Sequence, residues 1–329
     1  MNLKWKYLIK RTGQMILTMW IISTVLFFIF RLMPGNPLVA YINPTFTEKQ
    51  QEILMEQFGL NKPLWMQYFI YLKNLLQGKL GQSFFFKEPV TNVIAKVLPN
   101  TIYLMLTSLI MAYVIGIIGG IFLAWKRGET IETYGLVFTL FTRSAPQFWV
   151  GMLLLAVFSF QLDIFPSGGV ASAGIVYGSE LEKLFSLQFY KHLFLPALTL
   201  TIYLLGLPLL LMRSNMLDVM DEAYVQMAKM RGVNKIRVMF KYAARNAFLP
   251  VITAMAVGIG YAMGGNVVIE KIFSWPGLGR LLVKAVSTSD YPLAQGAFIL
   301  IAAIIIFMNF FADIFYNILD PRVNIEDRK

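Results

Sequence analysis

Six stretches, residues 12–32, 101–125, 135–162, 193–213, 248–269 and 296–318, are each about as long and apolar as a helix that crosses a bilayer. No other feature constrains the fold as tightly. In lipid the backbone must satisfy its own hydrogen bonds, and for runs of about 20 residues the helix does so. Composition agrees: 57% of the chain is hydrophobic and 14% charged, against roughly a quarter charged in soluble domains. The expected fold is an all-α polytopic membrane protein with six transmembrane helices. With no cysteine in the sequence, disulfides and thiolate metal sites are excluded.

The net charge of +11 fits basic loops that orient spans better than it fits nucleic acid, for which no binding motif is present. Lys4, Lys6, Lys10, Arg11, Lys126, Arg127, the 213–247 loop, Arg322, Arg328 and Lys329 fall on one side of the six spans. The short loops opposite carry only Lys183, Lys191, Lys271, Arg280 and Lys284. The positive-inside rule then puts both termini in the cytoplasm. Three parts follow: 1–34, the N-terminal tail and a retained first span; 35–98, a small extracytoplasmic segment; and 99–329, a five-helix core with a cytoplasmic loop at 213–250. In the outer segment Thr47 and Gln50 suit a capping box, and Gly59 a helix end.

The loop is the least greasy part of the core. Met220, Ala223, Tyr224, Met227 and Ala228 repeat as one apolar stripe of a helix. Gly232 suits a left-handed turn, Asn234 the cap of a second helix, and Ile236, Met239, Phe240, Ala243 and Ala247 repeat the pattern. Arg237, Lys241 and Arg245 form a basic stripe, and Pro250 stands where the next span begins. Periodicity leaves two readings open: a helix pair lying on anionic lipid, or a docking surface for a cytoplasmic partner.

The stretch EAYVQMAKMRG…ARNAFLP resembles the EAA loop of ATP-binding-cassette importer permeases, in its details those of the dipeptide, oligopeptide and nickel transport family. RLMPGNP at 31–37, FGLNKPLWMQY at 58–68, LPNT at 98–101, APQFWVG at 145–151, EKIFSWPGLGRLL at 270–282, DYPLAQG at 290–296 and LDPR at 319–322 extend the resemblance along the chain. Asn36 and Tyr242 depart from the Asp and His that members often carry.

The resemblance implies a non-catalytic permease subunit in a prokaryotic cell membrane. It would pair with a second homologous permease, two cytoplasmic ATPase subunits and an extracytoplasmic solute-binding protein, with membrane lipid around it. ATP and Mg would sit in the ATPases, with no cofactor on this chain. The loop would be the coupling helix, with Glu222, Ala223, Tyr224, Ala228, Gly232, Arg245, Asn246 and Pro250 at the ATPase contact. The implied cargo is a peptide, with nickel or metal chelates as the alternative.

Polar residues inside the spans are informative because a central charge costs about 2.5–3.5 kcal/mol. Asn309, Asp313 and Asn317 recur every four residues, either lining a path or sealing a helix seam. Asn266 and Glu270, near the outer end of the fifth span, are further candidates for the translocation path, with Asn309 and Asp313. Arg143 is expected to snorkel to the interface, and His192 to lie there too. Gly116 and Gly120, like Gly260 and Gly264, form GxxxG pairs that suit close helix packing. Pro196, Gly206 and Pro208 predict a kink. No GxxxxGK[ST] loop occurs, so the chain cannot hold ATP that way. HExxH and GxSxG are absent, which argues against a hydrolase. An ion-gradient carrier is the remaining rival, though no internal repeat is visible.

Overall fold

A computed structural model of the chain describes residues 3–32, 62–262 and 265–319. It is helical throughout, apart from an isolated bridge between Gln82 and Pro89 among the described residues. In chain order the helices are α1 (Leu3–Leu32), α2 (Leu64–Leu76), α3 (Val90–Trp125), α4 (Thr130–Ser144), α5 (Gln147–Leu154) and α6 (Glu180–Leu184). Then follow α7 (Leu187–Leu204), α8 (Gly206–Met220), α9 (Ala223–Met230), α10 (Leu249–Ala262), α11 (Val267–Ile272), α12 (Leu278–Ser287) and α13 (Tyr291–Leu319). π-Helical turns extend α5 over Leu155–Gln161 and lie ahead of α10 at Val238–Ala244.

Among the described residues three helical segments are long and apolar enough to span on their own: Leu8–Leu32, Val90–Trp125 and Tyr291–Phe311. Two bent pairs raise the number to five: α4 with α5 and its π-helical extension, bent by 102°, and α7 with α8, bent by 43°. The expected span at 248–269 is not one straight helix. α10 is 14 residues long, and a separate six-residue α11 follows it. The second expected span starts earlier than its apolar run suggested, since α3 is already helical from Val90.

α3 is the central post, packed along α8, α7 and the start of α12, while α1 meets the bundle chiefly through α13. Its contact with α8 depends on Gly116 and Gly120, the first GxxxG pair. A Cβ on Gly116 would lie 2.8 Å from Pro208 Cγ and 2.9 Å from Leu205 O. One on Gly120 would lie 2.5 Å from Leu209 O. Without side chains there the two backbones come together. Of the second pair, Gly264 lies outside the described residues.

The predicted kink falls at Leu205, just before Gly206 and Pro208, where the missing proline N–H loosens the ladder. The stem of Arg143 crosses Gly206, where a Cβ would come within 2.5 Å of its Cγ and Cδ, while the residue as a whole remains exposed. His192 corrects an expectation. It is 4% exposed rather than interfacial. Its Nδ1 is 2.8 Å from Gly168 O and its Nε2 3.4 Å from Ser172 Oγ, so it pins the 162–179 loop to α7. A histidine beside a loop finds backbone acceptors that hydropathy cannot foresee.

Of the segment after the first span, Thr47, Gln50 and Gly59 lie outside the described residues. α2 lies along α1. Thr24 Oγ1 and Tyr68 OH are 2.7 Å apart, Tyr71 OH donates to Ser23 O at 3.2 Å, and the buried Phe27 ring meets both tyrosines at 5.3 Å.

Candidate functional site

The loop at 213–250 folds as an elbow. Glu222 leaves the helical path at ψ 142°, and its carbonyl accepts from Val225 and Gln226 to start α9. Gly232 ends that arm at φ +70°, the left-handed region in which glycine needs no strain. Gly232 N donates to Lys229 O at 3.0 Å and Val233 N to Ala228 O at 3.2 Å, a Schellman closure. Asn234 Oδ1 then accepts from Ile236 N at 2.9 Å and caps the second arm. That arm runs through Lys235–Arg237, Val238–Ala244 and Arg245–Ala247 and, with Phe248 still helical, into α10. Asn246 Nδ2 donates to Tyr224 OH at 2.5 Å, tying the arms together, and Asn215 Nδ2 donates to Ala247 O at 3.2 Å, tying the second arm to α8.

The turns are where the sequence placed them, and Ala243 and Ala247 of the second arm face inward as expected; the face of α9 is a different one. Inward-facing residues are Val225 and Ala228 on α9, then Val238, Ala243, Ala244 and Ala247, packed with Ile121, Ala124, Met212 and Met216. Of the expected first stripe only Ala228 is buried, and Ala223, Tyr224 and Met227 are exposed. The cause is the break at Asp221–Glu222: Met220 belongs to α8, so it cannot set the register of α9. Small side chains take the tight seam against α3 and α8. The larger apolar ones, Tyr224, Met227, Met230, Ile236 and Phe240, face out beside Lys229, Arg231 and Lys235. Arg237, Lys241, Arg245 and Pro250 are exposed as well.

A buried ion pair braces the elbow's base. Glu132 Oε1 accepts from Arg213 Nε at 2.9 Å and Nη2 at 2.5 Å, and Glu132 Oε2 accepts from Gly128 N at 2.7 Å. It joins the start of α4 to α8. In the sequence Arg213 falls at the start of the basic loop; the signal is Glu132, the second of two acids ahead of an apolar run. Arg213→Met leaves that carboxylate buried without its cation. We expect a loss of roughly 3 kcal/mol, the low end for a buried pair broken from one side because Arg213 keeps some exposure. Glu132→Gln, which retains an acceptor for Gly128, loses less. Thermal unfolding of the purified protein in detergent measures both.

At the opposite end LPNT and EKIFSWPGLG, far apart in sequence, form one buried knot. Thr101 Oγ1 donates to Glu270 Oε1 at 2.8 Å and accepts from Leu278 N at 2.7 Å, and Arg280 N donates to Glu270 Oε2 at 2.8 Å. Trp275 Nε1 donates to Asn100 O at 3.0 Å, Asn100 Nδ2 to Pro276 O at 2.9 Å, and Lys183 Nζ to Asn100 Oδ1. Lys183, expected in a short outer loop, is buried with its Nζ over the Tyr103 and Phe189 rings. Glu270, expected on the path, is 0% exposed and its carboxylate faces its own chain. Desolvating a carboxylate demands donors, and a glycine-rich turn offers backbone N–H groups. Asn266 is half-buried, caps α11 through Ile269 N at 3.0 Å and donates to Gln147 Oε1 at 2.6 Å. Asn309 is half-buried on α13. The side chains of Asp313 and Asn317 lie outside the described residues.

Long apolar helices, three able to span alone and two bent pairs, with a charged elbow at one end, make this a polytopic membrane protein of permease type. Residues 116–325 match the family described as the inner membrane component of binding-protein-dependent transport systems, and residues 4–105 match its N-terminal counterpart. The chain belongs to that family. It is 39% identical over 320 residues to the oligopeptide transport system permease protein AppB of Bacillus subtilis, covering 96% of this chain and 98% of the relative. It is 34% identical over 331 residues to the di/tripeptide transport system permease protein DppB of Pseudomonas aeruginosa, at the same coverages. To the glutathione transport system permease protein GsiC of Escherichia coli it is 33% identical over 317 residues, again at 96% and 98%.

Proposed function

We propose that this chain is one of two permease subunits of an ATP-driven importer, forming half of a path for peptides handed over by an external solute-binding protein. The relatives named for oligopeptides, di- and tripeptides and glutathione support peptide cargo over nickel. The chain crosses the membrane six times with both termini in the cytoplasm, and the elbow sits on the cytoplasmic side. Its partners are a second permease and two ATPases, which bind the ATP and Mg. Asn266, Asn309 and Asp313 are the candidates for its share of the path.

One observation carries the coupling role. The elbow shows Tyr224, Met227, Met230, Ile236 and Phe240 outward, and its second arm passes into α10 through the single turn residue Phe248, whose backbone stays at helical angles. A motor subunit gripping that face pushes a lever joined to the membrane core. Glu222, Ala223, Tyr224, Ala228, Gly232, Arg245, Asn246 and Pro250 make or shape the contact.

The test is uptake of a labelled dipeptide by proteoliposomes holding the complete transporter. Gly232→Ala strains a left-handed residue by about 1–2 kcal/mol, although nothing lies within 4 Å of its Cβ. Gly232→Pro cannot adopt φ +70°. We expect uptake by the Pro variant to fall at least about tenfold, the equivalent of 1.4 kcal/mol, with ATP hydrolysis less affected. Uptake driven by a proton gradient without the ATPases, or a Met227→Cys crosslinker that captures lipid alone, refutes the reading.

A further inference from the structure

Where α1, α2 and the start of α13 meet, the structure holds a cavity of about 220 Å³, room for roughly seven waters. Its polar lining includes Arg31, Lys79, Asn74 and Gln295, and among the described residues no Asp or Glu lines it. We propose that this cavity binds the phosphate of an anionic lipid headgroup. The inference does not depend on the cargo or on ATP coupling.

Three observations carry it. The first is charge. Arg31 makes no ion pair among the described residues; its guanidinium rests 5.7 Å from the centroid of the Phe27 ring. A half-buried guanidinium over a ring retains donors in a forked geometry that matches phosphate oxygens. The exposed Lys79 supplies a second positive charge at the rim. The second is an unmet donor. Gln295 Nε2 is buried beside the Tyr71 hydroxyl, which can take one of its two N–H donors and leaves the other. Burying an amide donor unpaired is costly, and an acceptor in the cavity removes that cost.

The third is depth. Arg31 stands at the end of the apolar run Leu8–Leu32, and Tyr291 opens the apolar α13. Phe30, Tyr71, Phe84 and Tyr291 all border the cavity, and an aromatic belt with basic side chains marks the headgroup level of a bilayer. Location also argues against cargo as the occupant. α1 is peripheral, joined to the bundle chiefly through α13, so a site beneath it lies at the edge of the bundle rather than at the α3 post.

The experiment uses the full chain purified in detergent. Thermal unfolding and native mass spectrometry are recorded with added phosphatidylglycerol, with phosphatidylcholine and with inorganic phosphate. We expect phosphatidylglycerol to raise the unfolding temperature and remain bound in the gas phase, while phosphatidylcholine and inorganic phosphate do neither. Loss of a charge-assisted contact in Arg31→Gln should weaken retention of phosphatidylglycerol about tenfold. Lys79→Gln, at an exposed position where folding is not at stake, should weaken it by a smaller factor. Stabilisation by inorganic phosphate alone overturns the proposal in favour of a free-anion site. Equal behaviour of the two lipids, or wild-type retention in both variants, overturns it outright.

Discussion

Gly120→Val is expected to remove most of the folded protein, with unfolding in detergent shifted far down and little material surviving membrane extraction. A Cβ at this position meets Leu209 O at 2.5 Å, Met212 Cβ at 2.8 Å and Arg213 N at 3.0 Å. Two of those atoms are backbone, so no rotamer change relieves the overlap. Forcing even one methyl into a packed seam costs about 1–3 kcal/mol, and valine adds two further carbons. Separation of α3 from α8 also moves Arg213, and with it the Glu132 pair at the elbow's base. Gly119→Ala is the control. Its Cβ meets only the flexible Leu209 side chain, at 3.2 Å, and the roughly 0.5–1 kcal/mol gain in helix propensity offsets the adjustment. If both variants unfold at the wild-type temperature, the α3–α8 seam does not hold the bundle together.

That seam shows which parts of the molecule are legible from its residues. GxxxG announces close approach by itself, because absence of a side chain is a local property; Gly120 needs no knowledge of Leu209. Gly232 and Asn234 are legible for the same reason, each stating a backbone conformation that its own chemistry favours. Side-chain faces and buried charges behave differently. The inward face of α9 depends on where its helix begins, and the break at Asp221–Glu222 is set by how α8 ends. Lys183 has Glu180 three positions before it, but it also reaches Asn100, 83 positions away, and the partner of Glu132 is Arg213, 81 positions away. Each is an ionisable residue next to apolar sequence, but nothing local says which distant group it bonds. The split of the 248–269 stretch into α10 and α11 is equally remote: Asn266 caps α11 while bonded to Gln147.

Glu270 offers the sharpest contrast between a path residue and a structural one. Replacing it by alanine strands Arg280 N and breaks the relay from Leu278 N through Thr101 to the carboxylate. A buried donor left unmet costs about 1–3 kcal/mol, so Glu270→Ala should lose about 3 kcal/mol or more and lower the unfolding temperature of the isolated chain. Glu270→Gln keeps one acceptor oxygen but turns an N–H₂ toward groups that already donate, and should fall between alanine and wild type. Thr101→Val removes the middle of the relay. Because both side chains serve one network, the double variant Thr101→Val, Glu270→Ala should cost less than the sum of the singles. A residue that touched cargo would behave otherwise: transport would change with Glu270→Gln while stability stayed put, and the effects of Thr101 and Glu270 would add. The knot lies at the end of the bundle away from the elbow, where the 270–280 turn is fastened to α3. Loosening it should therefore leave α9 and its exposed apolar face intact, and the protection of α9 amides from hydrogen exchange in Glu270→Gln measures that independence.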